Sequence, residues 1–281
     1  MVTTLATCSG RSVPHWAVAV SLAVLPGAAV AATCWQAPSL GALAGAERSL
    51  WEERDALGAS LVREKGTLRA VGLEVNGRCR TVDWSAHWTL ARGGRGYDGQ
   101  TTSQAPFQTV SRLQAQHLAA QAWLPVHSGW AVGAQVAYRH IERDIAGKGN
   151  VMGYPEQFGY WQTALGARYQ AALGEQLRLT ASVWLGAGPS GHVQIDLPRA
   201  DPVTLRLGSS RLLALDLQLD GGEVADRPGW SWKAGMSYRH EQHHAGPAKT
   251  LMRNGAPVGA ASQPKFLQHH LRGAAHVTYR F

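Results

Sequence analysis

The last eleven residues of the chain, LRGAAHVTYRF, alternate between two kinds of side chain, and this alternation restricts the fold more than any other feature. Val277, Tyr279 and Phe281 fall on one side of the repeat, and Arg272 and Arg280 fall on the other. A repeat of two residues is that of a β-strand, whereas the apolar stripe of a helix repeats every three to four residues. The sequence therefore predicts a terminal strand with one apolar face and one polar, cationic face.

The same alternation recurs along most of the chain, for example in WSWKAGMSYRH (230–240) and QLRLTASVWLG (176–186). Several of the predicted strands exceed the five or six residues usual in globular proteins. Ten strands are predicted, at 47–55, 59–77, 80–97, 106–124, 129–147, 157–173, 175–197, 202–219, 228–246 and 264–281. Short connections at 76–78, 126–129 and 172–175 alternate with longer ones at 98–105, 148–156 and 247–263, which is typical of barrels that cross a membrane.

The predicted fold class is all-β, a closed antiparallel transmembrane β-barrel of ten strands. Residues 44–65 leave a second possibility open, because Leu50, Leu57 and Leu61 also fit helical spacing. If that segment is a periplasmic helix, the barrel has eight strands. Aromatic residues on the apolar faces are predicted to form the girdles that border a bilayer: Trp84, Trp88, Trp123, Trp130, Tyr138, Tyr169, Trp230, Tyr238 and Tyr279.

The N-terminal segment predicts export. Arg11 precedes an apolar run that ends in Ala29-Val30-Ala31, the small-x-small pattern that signal peptidase accepts. We therefore expect residues 1–31 to be a signal peptide, 32–46 a periplasmic tail and 47–281 the barrel. Export argues against nucleic acid as the partner of the net charge of +8, and favours anionic lipid headgroups or an anionic small molecule.

With its signal peptide, alternating segments and terminal aromatic residue, the chain resembles the β-barrel proteins of Gram-negative outer membranes. The resemblance implies that the barrel assembly machinery recognises Val277, Tyr279 and Phe281, and that the folded protein is surrounded by outer-membrane lipid and lipopolysaccharide. It also implies a location in the bacterial outer membrane after the signal peptide is removed. The predicted role is structural, surface-interacting at the cell surface, or one of minor porin-like transport.

The polar faces of the strands would line a basic lumen. The predicted inward cations are Arg112, Arg139, Arg168, Arg178, Arg206, Lys233, Arg239, Arg272 and Arg280. The predicted inward acids are Glu74, Asp83, Asp216 and Glu241. Two interpretations stay open at this point: a network of ion pairs that fills a narrow barrel, or a surplus of positive charge that forms an anion path or anion site.

A barrel-borne enzyme is the alternative function. Asp83, Ser85 and His87 are spaced by two in DWSAH, so they share the inner face of one strand with neighbouring Cα atoms about 6.6 Å apart. This set would suit a lipid esterase, although no oxyanion donor is identifiable. Omptin-like proteolysis is the other enzymatic possibility, although the chain lacks the Asp-x-Asp pair that such a protease would need.

Cysteine and histidine complete the candidate residues. Cys34 and Cys79 are the two cysteines left after signal-peptide removal, and a disulfide between them would tie the tail beneath the barrel. Histidines cluster in RHEQHHAG and at 269–270, but adjacent histidines of a strand point to opposite faces. No metal site and no cofactor is predicted.

Overall fold

A computed structural model describes residues 36–100, 105–222 and 229–281. The regular structure of these residues is entirely β, and none of their segments is a helix long and apolar enough to cross a membrane. The described strands are β1 (Gln36–Arg54), β2 (Ser60–Cys79), β3 (Val82–Gln100), β4 (Pro106–His127), β5 (Trp130–Ile145), β6 (Tyr154–Ala172), β7 (Leu177–Gly188), β8 (His192–Ile195), β9 (Val203–Arg206), β10 (Ser210–Gly221), β11 (Gly229–His243), β12 (Lys249–Arg253), β13 (Ala256–Ala261) and β14 (Lys265–Arg280).

Ten of these strands close into a ring through antiparallel pairing. The order around the ring is β1, β2, β3, β4, β5, β6, β7, β10, β11 and β14, and β14 pairs back onto β1. The short strands β8 and β9 extend β7 and β10 beyond the ring as one hairpin, and β12 with β13 forms a second hairpin. The predicted all-β, closed antiparallel barrel is confirmed.

The N-terminal part of the barrel differs from the prediction. Residues 44–65 lie in β1, a tight turn and β2, so the helical interpretation of this segment is wrong. Residues 36–46, predicted to be part of a tail, form the first half of β1 and pair with β14 through contacts such as Leu43 opposite His276. The two errors have different causes: Leu50, Leu57 and Leu61 also fit helical spacing, whereas the first half of β1 shows little contrast between its two faces. Small residues such as Gly41 and Ala42 fill both faces of this half-strand, so its alternation has little contrast.

The two ends of the barrel differ in their connections. The end that carries Gln36 and Phe281 has connections at 80–81, 128–129, 173–176 and 222–228, and we call it the turn end. The other end has connections at 55–59, 101–105, 146–153, 189–209 and 244–264, and we call it the loop end. Short turns at one end and long loops at the other are typical of outer-membrane barrels.

The outer surface carries a broad ring of exposed apolar side chains, which we call the apolar belt. Its members include Leu40, Val71, Leu73, Leu118, Leu124, Val132, Val136, Leu165, Leu185, Leu215, Leu217, Met236, Leu271 and Val277. Aromatic pairs lie near its turn-end edge, at Trp130–Tyr169 and Trp230–Tyr279. Trp123 does not join them, because its side chain points inward and is only 4% exposed, so its predicted place in a girdle is wrong.

Candidate functional site: the lumen

The loop end of the lumen is closed by a cluster of buried apolar side chains, which we call the cap cluster. Its wall residues include Trp51, Phe158 and Phe266, and its hairpin residues are Val193, Ile195, Val203, Leu205 and Leu207. The hairpin can reach the lumen because β8 pairs with the loop-end half of β6, with Val193 opposite Phe158, and β9 pairs with β8. Val193 is therefore on the same inward side as Phe158, and the apolar residues of the hairpin join the cap cluster.

Aromatic stacking organises the centre of the cap cluster. The ring of Trp51 lies 4.5 Å from that of Phe266 at an interplanar angle of 8°, and its centroid is 5.1 Å from that of Phe158. All three side chains are fully buried. The guanidinium of Arg143 lies 4.9 Å from the Trp51 ring centroid, a favourable cation–π distance. The cap is thus continuous with the charged layer next to it.

The charged layer next to the cap cluster is built around Arg143. We call it the upper ion network because it lies toward the loop end. Its guanidinium lies 2.9 Å from Glu53, 2.8 Å from Glu156 and 3.7 Å from Glu64. Glu64 also pairs with Arg95 at 2.9 Å. All five side chains are buried, so each charge depends on its protein partners for the solvation that water would otherwise supply.

A second network in the middle of the lumen converges on Glu241. The guanidinium groups of Arg139 and Arg239 both donate to its carboxylate. The Tyr160 hydroxyl donates to it at 2.9 Å and the Gln162 amide at 3.2 Å. Because these partners come from β5, β6 and β11, the network spans the lumen and fills it.

Two further carboxylates neutralise cations on the β1, β2, β11 and β14 side of the lumen. Glu47 lies 2.7 Å from His270 and 2.5 Å from Arg272, across the seam between the first and last strands. Glu74 lies 3.4 Å from Lys233. The Glu47 contacts join β1 and β14, which are also paired through their backbones. The Glu74 contact joins β2 and β11, which are separated in the ring by β1 and β14.

Aromatic and charged side chains also meet in the turn-end half of the lumen. The rings of Trp123 and Trp184 lie 4.4 Å apart inside the barrel, and the Arg168 guanidinium lies 4.8 Å from the Trp123 ring centroid. Arg168 also pairs with Asp83 at 2.9 Å, and Asp83 pairs with Arg78 at 2.8 Å. Apolar and charged side chains therefore pack against each other in this half.

Most predicted lumen residues point inward. Five of the predicted cations face the lumen and each pairs with a carboxylate: Arg139, Arg168, Lys233, Arg239 and Arg272. The four predicted acids, Glu74, Asp83, Asp216 and Glu241, share the inward register. Arg178 and Arg280 also lie on that register, at the turn end of the barrel.

Two predicted lumen cations lie elsewhere. Arg112 is exposed on the outer face of β4, where it is opposite Asp144. The sequence does not reveal this, because β4 is apolar on both faces, with Leu113 inside and Leu118 outside. Arg206 is exposed on the β9 hairpin, beyond the ring, and donates to the Ser190 hydroxyl at 2.9 Å.

The prediction missed several buried charges near the loop end. They are Glu47, Glu53, Glu64, Arg95, Arg143 and Glu156. Here the strands extend beyond the apolar belt and carry polar residues on both faces, as Glu52 and Glu53 do in β1. A count of the charged residues on both faces would have indicated a charged layer near the loop end. It would not have indicated which of the two faces points into the lumen.

The three residues of the candidate catalytic set do not contact one another. Asp83, Ser85 and His87 share the inner face of β3, but each has other partners. Asp83 pairs with arginines, and Ser85 accepts a hydrogen bond from the Gln121 amide at 2.8 Å. The His87 ring lies 5.3 Å from the His117 ring. In the described ranges, no group of three or more His, Cys, Asp or Glu residues is arranged to hold a metal ion.

The chain termini meet at the turn end. Phe281 donates its backbone N–H to the Pro38 carbonyl at 3.1 Å, and its side chain is 64% exposed. Val277 and Tyr279 lie on the outward register of β14. Cys79, the last residue of β2, is disulfide-bonded. Cys34, together with the predicted signal peptide and residues 32–35, lies outside the described residues.

These features define a closed antiparallel β-barrel whose lumen contains buried apolar, aromatic and charged side chains. No protein-family model and no curated protein sequence matches the chain. Among solved structures it is similar to the outer membrane protease OmpT from Escherichia coli, with 11% identity and a TM-score of 0.47 over 87% of this chain and 95% of that chain. It is also similar to the translocator domain of the autotransporter NalP from Neisseria meningitidis (13%, 0.41, 86% and 88%) and to Neisserial surface protein A (9%, 0.35, 86% and 97%). Identities and scores this low do not transfer a function to this chain.

Proposed function

We propose that this chain is an outer-membrane β-barrel protein whose lumen stabilises the fold and whose function is structural or surface-interacting. The apolar belt, the aromatic pairs along it and the difference between the two ends support the placement. The turn end then faces the periplasm and the loop end faces the cell exterior. Residues 1–31 act as the signal peptide, and the strand ending in Phe281 serves the barrel assembly machinery.

The filled lumen is the observation that carries the proposal. The cap cluster lies at the extracellular mouth, the ion networks span the middle, and Trp123 and Trp184 pack together inside the periplasmic half. A lumen packed in this way favours an ion-pair network over an anion path, so transport is not part of the proposal. A barrel-borne enzyme is not proposed either, because Asp83, Ser85 and His87 have separate partners.

Conductance tests this proposal. Wild-type protein reconstituted into planar bilayers is expected to give no discrete conductance steps and no anion selectivity, because buried side chains of the cap cluster and of the Glu241 network lie across the lumen. Insertion is verified in liposomes prepared in parallel. The inserted barrel should be protected from trypsin, and unboiled protein should run faster on a gel than boiled protein. Regular steps from protein that passes both checks would overturn the filled-lumen proposal.

A second test concerns the proposed Cys34–Cys79 disulfide. Cys79 is disulfide-bonded, and its position at the end of β2 is on the proposed periplasmic side, which is an oxidising compartment. Peptide mapping of mature protein without reduction is expected to show one linked pair that contains Cys34 and Cys79. A Cys79→Ser variant should release Cys34 as a free thiol and still form the barrel. Two unmodified thiols in wild-type protein would contradict the prediction.

A further inference from the structure

Three arginines form a compact group on the outer surface of the barrel. Arg48, Arg69 and Arg92 lie on the neighbouring strands β1, β2 and β3, and all three are exposed. Arg69 is directly opposite Arg92, and Arg48 is one diagonal step away, because Ala46 is opposite Arg69. Directly opposed Cβ atoms lie about 4.5–5.5 Å apart, so the three guanidinium groups can reach one ligand. We call this group the arginine triad.

The triad lies at the edge of the apolar belt that is nearer the loop end. The next outward pair toward the turn end is Val71 opposite Leu90, and Val71 is half exposed. The next outward residue of β2 toward the loop end is Thr67, followed by Lys65. The surface therefore changes from apolar to cationic at this level. In the proposed orientation, that level is where the outer leaflet places its headgroups.

The triad carries charge that the protein does not neutralise. Among the described residues, none of the three arginines forms an ion pair, whereas the outward acid Glu52 pairs with Arg54 at 3.1 Å. Like charges directly opposite each other destabilise a sheet, and an anion between them would remove this cost. Guanidinium groups bind phosphate through paired hydrogen bonds, which makes phosphate the best-matched anion.

The outer surface is also asymmetric. The outward faces of β5, β6 and β7 carry no lysine or arginine in the described residues, and the belt edge there presents Tyr138, His140 and Trp161. A positive charge that served only general attraction to an anionic membrane would be spread around the barrel. Most of the outward lysines and arginines instead lie on β1, β2 and β3, whereas β4, β10 and β14 carry one each, and this concentration indicates a site for a particular headgroup.

We propose that the arginine triad binds the phosphate groups of a phosphorylated glycolipid of the outer leaflet, of the lipid A class. The acyl chains of such a lipid would lie along the apolar belt below Val71 and Leu90, while its phosphates meet the guanidinium groups. The proposal rests on the proposed outer-membrane orientation and adds a defined ligand and a defined contact surface to it.

Binding of purified, folded protein in detergent to bisphosphorylated lipid A tests the site, with native mass spectrometry as the readout. The triad variant R48Q/R69Q/R92Q is expected to bind at least about tenfold more weakly than wild type, because each lost phosphate contact removes charge-assisted hydrogen bonds. The control variant R206Q/R211Q/R253Q removes three exposed arginines on β9, β10 and β12, none of which pairs with β1, β2 or β3, and should keep wild-type affinity. Unboiled gel mobility confirms that each variant is folded.

Two further probes identify the ligand chemistry. Dephosphorylated lipid A is expected to bind wild type as weakly as bisphosphorylated lipid A binds the triad variant. Equal binding of both lipids to wild type, or full affinity in the triad variant, would overturn the proposal. Equal binding of phosphatidylglycerol would overturn the assignment to a glycolipid.

Membrane fractionation is a separate readout that tests the proposed location. Protein found outside the outer membrane would overturn the proposed function. If the protein is found in the outer membrane but does not bind lipid A, only the proposed site is overturned.

Discussion

Replacing Glu241 by Gln is expected to lower the free energy of unfolding by about 3–5 kcal/mol, because the change leaves one buried and one partly buried cation without their counter-charge. Arg139 and Arg239 both donate to this carboxylate, which is completely buried. Glutamine keeps the size of the side chain and can still accept hydrogen bonds from Tyr160 and Gln162. The loss therefore reports the charge and not the shape. Urea titration of the protein in detergent, followed by tryptophan fluorescence, measures it.

Glu52→Gln is the matched control for this change. Glu52 is on the outer face of β1 and pairs with Arg54 at 3.1 Å, where the arginine side chain is 40% exposed. Exposed pairs of this kind contribute about 0–1 kcal/mol, so the control should unfold close to wild type. Equal losses in the two variants would contradict a stabilising role for the buried network.

Replacing Trp51 by Ala is expected to cost about 3–5 kcal/mol, because it leaves a cavity in the centre of the cap cluster. The indole is fully buried, stacks on Phe266 and contacts Phe158 through its edge. The substitution also removes the cation–π contact between the indole and the Arg143 guanidinium. The same urea titration measures the loss, and the unboiled gel mobility shows whether the barrel still forms.

Trp161→Ala provides the control for the tryptophan change. Trp161 is 54% exposed on the outer face of β6 and contacts Tyr138 at a ring distance of 5.0 Å. Its removal leaves no enclosed cavity, so it should cost less than the removal of Trp51. If Trp161→Ala destabilised the protein more, the cap cluster would not be the main apolar core of the lumen.

The fold could be predicted because most strands repeat the same alternation of apolar and polar residues. Where one face is apolar and the other polar, as in β11 from Trp230 to Tyr238, a period of two fixes both the strand and its orientation. The prediction failed where that contrast disappears. Gly41 and Ala42 are too small to mark a face, and Leu113 and Leu118 mark both faces of β4.

The pairing inside the lumen could not be predicted in the same way. A sequence can place Glu241 and Arg139 on inner faces, but nothing local indicates that two residues 102 positions apart will meet across the barrel. The cap was equally hidden, because Val193 and Leu205 belong to a connection between barrel strands and become inward residues only when β8 pairs with β6. Such contacts depend on ring closure, which a pattern along the chain does not encode.

The seam between β1 and β14 has a consequence for the order of assembly. Glu47 is buried in the first strand, and its partners His270 and Arg272 are in the last strand, 223 and 225 positions later. Contacts between such distant segments form only after a large loop has closed. Until β14 pairs with β1, Glu47 therefore lacks both of these partners, so the pairing that closes the ring also brings this buried carboxylate its ion-pair partners.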